Sequence, residues 1–260
     1  MISNDQLDAI GDRLYQAWQT RTPIAPPSAS QPLTIDDAYR IQQRMVARRI
    51  GQGETVIGKK IGVTSKAVQD MLDVRQPDFG ILLSGMAYAD GAAIPADTLI
   101  QPRAEGEIAF FLRERLQGPG ITARHVLDAT RSVAACFEIV DSRVQDWRIR
   151  IADTVADNAS CGVFAIGAER VAPQGLDLAA CAMTIEKNGE VVASGIGAAA
   201  LGHPAEAVAW LANELGRRGI ALEAGEPILS GSLAVLVPVK AGDTLSVRIE
   251  GIGTCAVSFV

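Results

Sequence analysis

Arg103-Ala-Glu105-Gly-Glu107-Ile-Ala-Phe-Phe-Leu112 reads as a β-strand, and with it the apolar run Val133-Ala-Ala-Cys-Phe-Glu138-Ile-Val140. Residues two apart in a strand share a face, so Glu105 and Glu107 project side by side, while Glu138 stands alone in a segment apolar enough to be buried. Working outward, the hydrophobic period changes from about 3.6 towards about 2 near Thr55. Extended segments are predicted at 55–63, 104–112, 133–140, 161–166, 181–187, 190–195, 227–230 and 245–259. Asn188-Gly189 joins two of these runs and is the strongest hairpin signal in the chain. Helices are expected over 4–20, opened by Ser3 and Gln6 at capping-box spacing, and from a Thr34 cap to Gly51 and Gly53, with a connector rich in proline from Arg21 to Leu33 between them. Further helices are expected at Ser65–Leu72, His125–Thr130 and Pro204–Arg217. Strands interrupted by a few helices, without regular βαβ alternation, predict an α+β fold: a helical region over 1–53 and a β-rich core over 54–260.

The 260 residues carry 24 Lys+Arg against 30 Asp+Glu, a formal charge of −6, which disfavours nucleic acid and anionic membranes as partners. A hydrophobic content of 48% suffices for one sizeable core and excludes global disorder. Met1 to Asp12 do not read as a secretory signal, and no window has the unbroken apolar length of a membrane span. Cys136, Cys161, Cys181 and Cys255 are scattered in apolar surroundings without CxxC pairing, as suits reduced thiols. The expectation is a soluble, cytoplasmic protein.

Two nucleotide-binding patterns fail on context. Gly53-Glu-Thr-Val-Ile-Gly58-Lys59 fits a P-loop until Lys60 replaces the magnesium-binding Ser or Thr, and it follows a helix instead of opening one. Gly195-Ile-Gly197-Ala-Ala-Ala200 has dinucleotide-site spacing, yet Pro204 delays the helix, and Glu214, at the distance of a ribose contact, falls inside it. His125 and His203 are the only histidines, at a helix start and before a proline, so a His-based triad is not expected.

The carboxylates carry the chemistry. Glu105 and Glu107 alone fit a solvated strand edge. A buried Glu138, however, needs a counter-charge, met either by a neighbouring Lys or Arg or by three carboxylates converging on one divalent cation, for which all-oxygen ligation selects magnesium or manganese. In Gly58-Lys59-Lys60-Ile61-Gly62 the same-face neighbours of Lys60 are both glycine, leaving a bare floor beside an ammonium group, unless Lys60 is an ordinary surface lysine. Lys59, between Ile57 and Ile61, reads as a structural lysine with a packed stem and a solvated head. Gln76-Pro77-Asp78-Phe79-Gly80 has turn chemistry, in which Asp78 could simply cap a turn. Asp157-Asn158-Ala159-Ser160 is either an Asx turn feeding a strand or a pocket lining.

Several long motifs occur in order: Gly58-Lys-Lys-Ile-Gly-Val-Thr64, Gln76-Pro-Asp-Phe-Gly80, Gln101-Pro-Arg-Ala-Glu-Gly-Glu107, Phe137-Glu-Ile-Val-Asp-Ser-Arg143, Asp153-Thr-Val-Ala-Asp-Asn-Ala-Ser-Cys-Gly162 and Ile249-Glu-Gly-Ile-Gly253. Over nearly its whole length the chain thereby resembles the 2-hydroxypenta-2,4-dienoate (2-oxopent-4-enoate) hydratases of the fumarylacetoacetate hydrolase superfamily. The resemblance implies a mixed β roll with flanking helices, a catalytic core over 54–260, and Mg2+ or Mn2+ held by Glu105, Glu107 and Glu138. It further implies Lys60 and Asp78 as acid/base residues, Ser160 near the substrate, and Arg103 as a candidate for the substrate carboxylate. The implied reaction adds water to 2-hydroxypenta-2,4-dienoate, giving 4-hydroxy-2-oxopentanoate, in meta-cleavage degradation of aromatic compounds. A closed homo-oligomer, pentamer or decamer, and a complex with 4-oxalocrotonate decarboxylase are the partners implied. Its rivals are 4-oxalocrotonate decarboxylase itself and a non-catalytic partner of that enzyme.

Overall fold

The computed structural model of the chain describes residues 2–260, so the reading of Met1 lies outside it. Helices α1 (Asn4–Thr20), α2 (Pro27–Ser30) and α3 (Ile35–Ile50) come first. Ser3 and Thr34 cap α1 and α3, each in a reciprocal capping box, as their spacing predicts. The connector between them holds one short helix, α2, entered through Pro27 at its first turn.

Strand β1 (Val56–Gly62) and helix α4 (Lys66–Met71) precede β2 (Asp78–Leu83), β3 (Ala87–Ala89) and β4 (Ala92–Ile94). Next come β5 (Arg103–Leu112), α5 (Ala123–Ala129), β6 (Thr130–Val140), α6 (Ile151–Ala156) and β7 (Cys161–Ile166). The hairpin β8 (Ala182–Lys187) and β9 (Glu190–Ile196) leads to α7 (Pro204–Gly216), β10 (Pro227–Leu229), β11 (Val237–Pro238), β12 (Thr244–Ile249) and β13 (Gly253–Phe259). Asn188 and Gly189 both have positive φ, 55° and 84°, as the tight turn of that hairpin requires. Two expectations change. Residues 245–259, read as one extended run, form a hairpin that turns at Gly251, φ 73°. Asp78 to Gly80, read as a loop, are strand: they pair with Lys60 to Gly62, and pairing to a distant segment overrides local turn chemistry.

The strands form two mixed sheets, an α+β architecture. One runs β2-β1-β10-β5-β6-β7-β3 with β11 beside β5, and the other β4-β13-β12-β8-β9. The alternation of β5 decides how they meet. Ala104, Ile108 and Phe110 join the main core, and a Cβ on Gly106 would lie 3.0 Å from Met183 Sδ and Val247 Cγ2 of the second sheet. Val133, Ala135, Phe137 and Ile139 do the same on β6. The opposite face carries a smaller apolar cluster that includes Ala109, Ala134, Cys136 and Leu229, and beyond it the three glutamates. Among the described residues no helix is long and apolar enough to cross a membrane.

Both histidines serve helix starts, His125 as the inner member of the Thr122 capping box of α5 and His203 as the N-cap of α7. His125 Nδ1 accepts from Thr122 N–H at 3.2 Å, and His203 Nδ1 accepts from Ala205 N–H at 3.0 Å at the start of α7. Partial burial lowers the pKa of His203, so the neutral capping ring is favoured in the folded state. Its contribution is complete above the unfolded-state pKa of about 6.5 and is lost as pH falls through the lower folded-state value. Denaturation midpoints followed from about pH 7.5 to about pH 5 are therefore expected to drop more steeply in the natural protein than in His203→Asn, which caps without titrating. Identical slopes contradict the cap.

Candidate metal centre and active site

β5 and β6 pair antiparallel with Glu105 directly opposite Glu138 and Glu107 opposite Cys136. Cross-strand partners and residues two apart share one face, so the three carboxylates converge, one oxygen from each lying within 4.8 Å of the others. Glu107 and Glu138 are fully buried, and Glu105 is partly so. Glu107 Oε2 accepts from Gly231 N–H at 2.7 Å. Glu107 Oε1 and both Glu138 oxygens have no hydrogen-bond partner, although Lys60 Nζ lies 3.1 Å from Glu138 Oε1. Burial, then the Glu138 charge, pushes Glu105 up to about 7, and burial with the Glu138 and Glu105 charges pushes Glu107 well above the usual carboxylate range.

Orphaned oxygens on crowded, buried carboxylates are costly unless something positive sits among them. One ammonium does not balance three acids. A hard divalent cation such as Mg2+ or Mn2+ fits this donor set, since it takes oxygen ligands and supplies the missing positive charge.

Lys60 stands on β1 opposite Gly80, and Asp78 on β2 stands opposite Gly62, so both side chains share a face. A Cβ on Gly62 would collide with Asp78 Oδ1 and lie 3.3 Å from Lys60 Nζ, while one on Gly80 would lie 3.1 Å from Lys60 Cγ and 2.7 Å from Asn158 O. The bare glycine floor is thus corrected: Gly58 packs against Pro227, and the space at Gly62 is taken up by the Asp78 carboxylate, with the Lys60 ammonium beside it. Lys60 is 2% exposed, no surface lysine. Burial alone would lower its pKa, but the Glu138, Asp78 and Glu105 charges outweigh that and hold it above the ordinary value. Burial, opposed by Lys60, leaves Asp78 at about 6, and neither of its oxygens has a hydrogen-bond partner. Lys59, expected to keep its head in solvent, is instead buried and paired with Glu226.

Lys60, Gly62, Asp78 and Glu105 line a cavity of about 500 Å³ together with Thr154, Ala159 and Ser160. Its apolar walls include Val63, Val68, Leu72, Ile149 and Leu236. Arg103, at the start of β5, also lines it and lies 4.6 Å from the centre of the Trp147 ring, a cation–π contact. Ser160 Oγ donates to Asp157 Oδ2 at 3.3 Å and stands 3.4 Å from Thr154 Oγ1. The structure therefore brings Lys60, Asp78, Arg103, Glu105 and Ser160 to one cavity, with Glu107 and Glu138 completing the carboxylate cluster. Neither histidine lines it. Sequence reasoning missed Thr154, Trp147 and the Gly231 N–H. Thr154 lies inside a quoted motif, whereas Gly231 meets Glu107 only through a contact between distant segments, which no local pattern signals.

Residues 54–260 match the family described as fumarylacetoacetate (FAA) hydrolase C-terminal. The chain is 59% identical over 262 residues to a 2-hydroxyhexa-2,4-dienoate hydratase of Comamonas testosteroni, covering 100% of this chain and 99% of the relative. It is 45% identical over 259 residues to a 2-keto-4-pentenoate hydratase of Paraburkholderia xenovorans, covering 99% and 96%. Among solved structures, 4-oxalocrotonate decarboxylase from Pseudomonas putida G7, complexed with magnesium and adipate, superposes with a TM-score of 0.96 at 34% identity, covering 100% of this chain and 99% of that one.

Thermal melting tests the carboxylate cluster. Mn2+ added to chelator-treated protein is expected to raise the Tm, and Glu107→Gln is expected to abolish most of that rise. Without metal the variant is expected to melt no lower than the natural protein, because one of three crowded charges is gone while an oxygen remains for the Gly231 N–H. An equal Mn2+ response in both proteins contradicts a shared ion site.

Proposed function

The chain belongs to the fumarylacetoacetate (FAA) hydrolase C-terminal family, and from that membership we propose that it is a divalent-metal-dependent hydro-lyase adding water to 2-hydroxypenta-2,4-dienoate or a close alkyl homologue. One observation carries the reading: Lys60, Asp78 and Glu105 line a single cavity large enough for a small keto acid, and Glu107 and Glu138 cluster with Glu105 at its wall.

Glu105, Glu107 and Glu138 would hold Mg2+ or Mn2+, which when bound supplies Lewis acidity toward the substrate's carboxylate and enol oxygens. Lys60, held as an ammonium, stabilises negative charge developing on the enol oxygen as its proton leaves. Protonation of C5 with loss of the enol proton gives 2-oxo-3-pentenoate. Water oxygen then bonds to C4 while a proton is added at C3, yielding 4-hydroxy-2-oxopentanoate. Asp78, its pKa pushed toward neutrality, takes the proton from the attacking water or returns it to carbon. Arg103 pairs with the substrate carboxylate, its guanidinium steadied by Trp147. Ser160 offers a hydroxyl at the cavity wall, and the apolar lining suits an uncharged chain end.

The decarboxylase shares the fold, yet 34% identity to it against 59% to a hydratase favours hydration. A homo-oligomer, and a complex with a decarboxylase, remain part of the proposal and are read by sedimentation.

Incubation of the purified protein with Mg2+ or Mn2+ and 2-hydroxypenta-2,4-dienoate is expected to remove the dienol absorbance and form 4-hydroxy-2-oxopentanoate. Carbon dioxide released from oxalocrotonate in its place would favour the decarboxylase. Asp78→Asn is expected to lower kcat by about 100-fold or more while KM changes little. Turnover at the natural rate in that variant removes Asp78 from the mechanism.

A further inference from the structure

β2, which begins with Asp78, is the outermost strand of its sheet: β1 pairs with one edge, and among the described residues no strand pairs with the other. Two side-chain amides stand there instead. Asn158 Oδ1 accepts from Ile81 N–H at 2.8 Å and its Nδ2 donates to Ile81 O at 2.9 Å, the two-bond exchange of an antiparallel neighbour. Two residues back on the same edge, Gln42 Nε2 donates to Phe79 O at 2.9 Å and to Val155 O at 3.2 Å. Both amides are buried, at 1% and 2% exposure.

Asp78 makes no hydrogen bond through its carboxylate. Its position facing Lys60 follows from the backbone of β2, which Asn158 and Gln42 hold on its outer edge, while Thr154 and the Lys60 charge act on the carboxylate itself. Asn158 is itself rigidly held. With Ala159 and Ser160 it forms three successive non-glycine residues of positive φ, 56°, 50° and 52°, a strained turn that persists only where its surroundings over-determine it. The buried Arg143–Asp157 pair does so: Arg143 Nε donates to Asp157 Oδ1 at 2.6 Å, Arg143 N–H to Oδ2 at 2.9 Å, and a guanidinium nitrogen to Cys161 O at 2.8 Å. Gln42 also ties β2 to Val155, the neighbour of Thr154 in the cavity wall.

We propose that Gln42 and Asn158 are positioning residues that stand in for a missing strand and act through Asp78. Helix α3, outside the segment matched to the family, thereby belongs to the working site. This rests on the acid/base role given to Asp78.

Gln42→Leu keeps the bulk and removes the donor. Asn158→Gly removes the amide and relaxes the positive φ, so it serves if the first variant does not fold. Each is expected to lower kcat by about 10- to 100-fold with KM changed by less than about threefold. The Mn2+-induced rise in Tm is expected to persist, since the glutamates lie on β5 and β6. In the Asp78→Asn background the same substitution is expected to lower kcat by less than about twofold further, because its effect runs through the missing carboxylate. A folded variant with the natural kcat, or an undiminished loss in the Asp78→Asn background, overturns the proposal. Natural turnover in Asp78→Asn alone would instead overturn the role of Asp78 on which it rests.

Discussion

Like charges buried together are the constraint on which the rest of the structure depends. Glu105, Glu107, Glu138 and Asp78 share one end of a sheet face with a single ammonium, Lys60. Each is held there by the pairing of its strand, and strands do not move apart to relieve a local repulsion when their opposite face is packed into a core. The Ala104, Gly106, Ile108 side of β5 and the Val133, Ala135, Phe137, Ile139 side of β6 are that opposite face. Core packing on one side thus fixes an unfavourable arrangement of acids on the other, which a divalent cation turns into a binding site.

Much of this arrangement is legible in the sequence because it follows the two-residue period of a strand. Glu105 and Glu107 share a face whatever the fold, and Glu138 is conspicuous as a lone acid in an apolar run. Their convergence depends on the β5–β6 register, which is non-local, and chemistry alone leaves it open beside a Lys or Arg counter-charge. Asp78 was harder to place. Pro77 and Asp78 have turn chemistry, and only pairing with Lys60 to Gly62 makes the segment extended. Lys59 misled for a similar reason: its partner Glu226 lies far along the chain.

Gln42 shows what kind of signal is easily passed over. The buried face of α3 runs Ala38, Tyr39, Ile41, Gln42, Met45, Val46 and Arg49, so a neutral amide sits inside an apolar stripe. A buried amide must find partners, and here they are the carbonyls of Phe79 and Val155. Beside Gln42 on the same face of α3, the Tyr39 ring stacks on Phe79 with centroids 4.3 Å apart. The N-terminal helices therefore pack into the main core and brace the strand that carries Asp78.

The most direct measurement of the central claim is an anomalous difference map from crystals grown with Mn2+. One peak per chain, bounded by Glu105, Glu107 and Glu138 and adjacent to Lys60, is the predicted result. A map without a peak there, in protein whose Mn2+ occupies some other group of side chains, would contradict it.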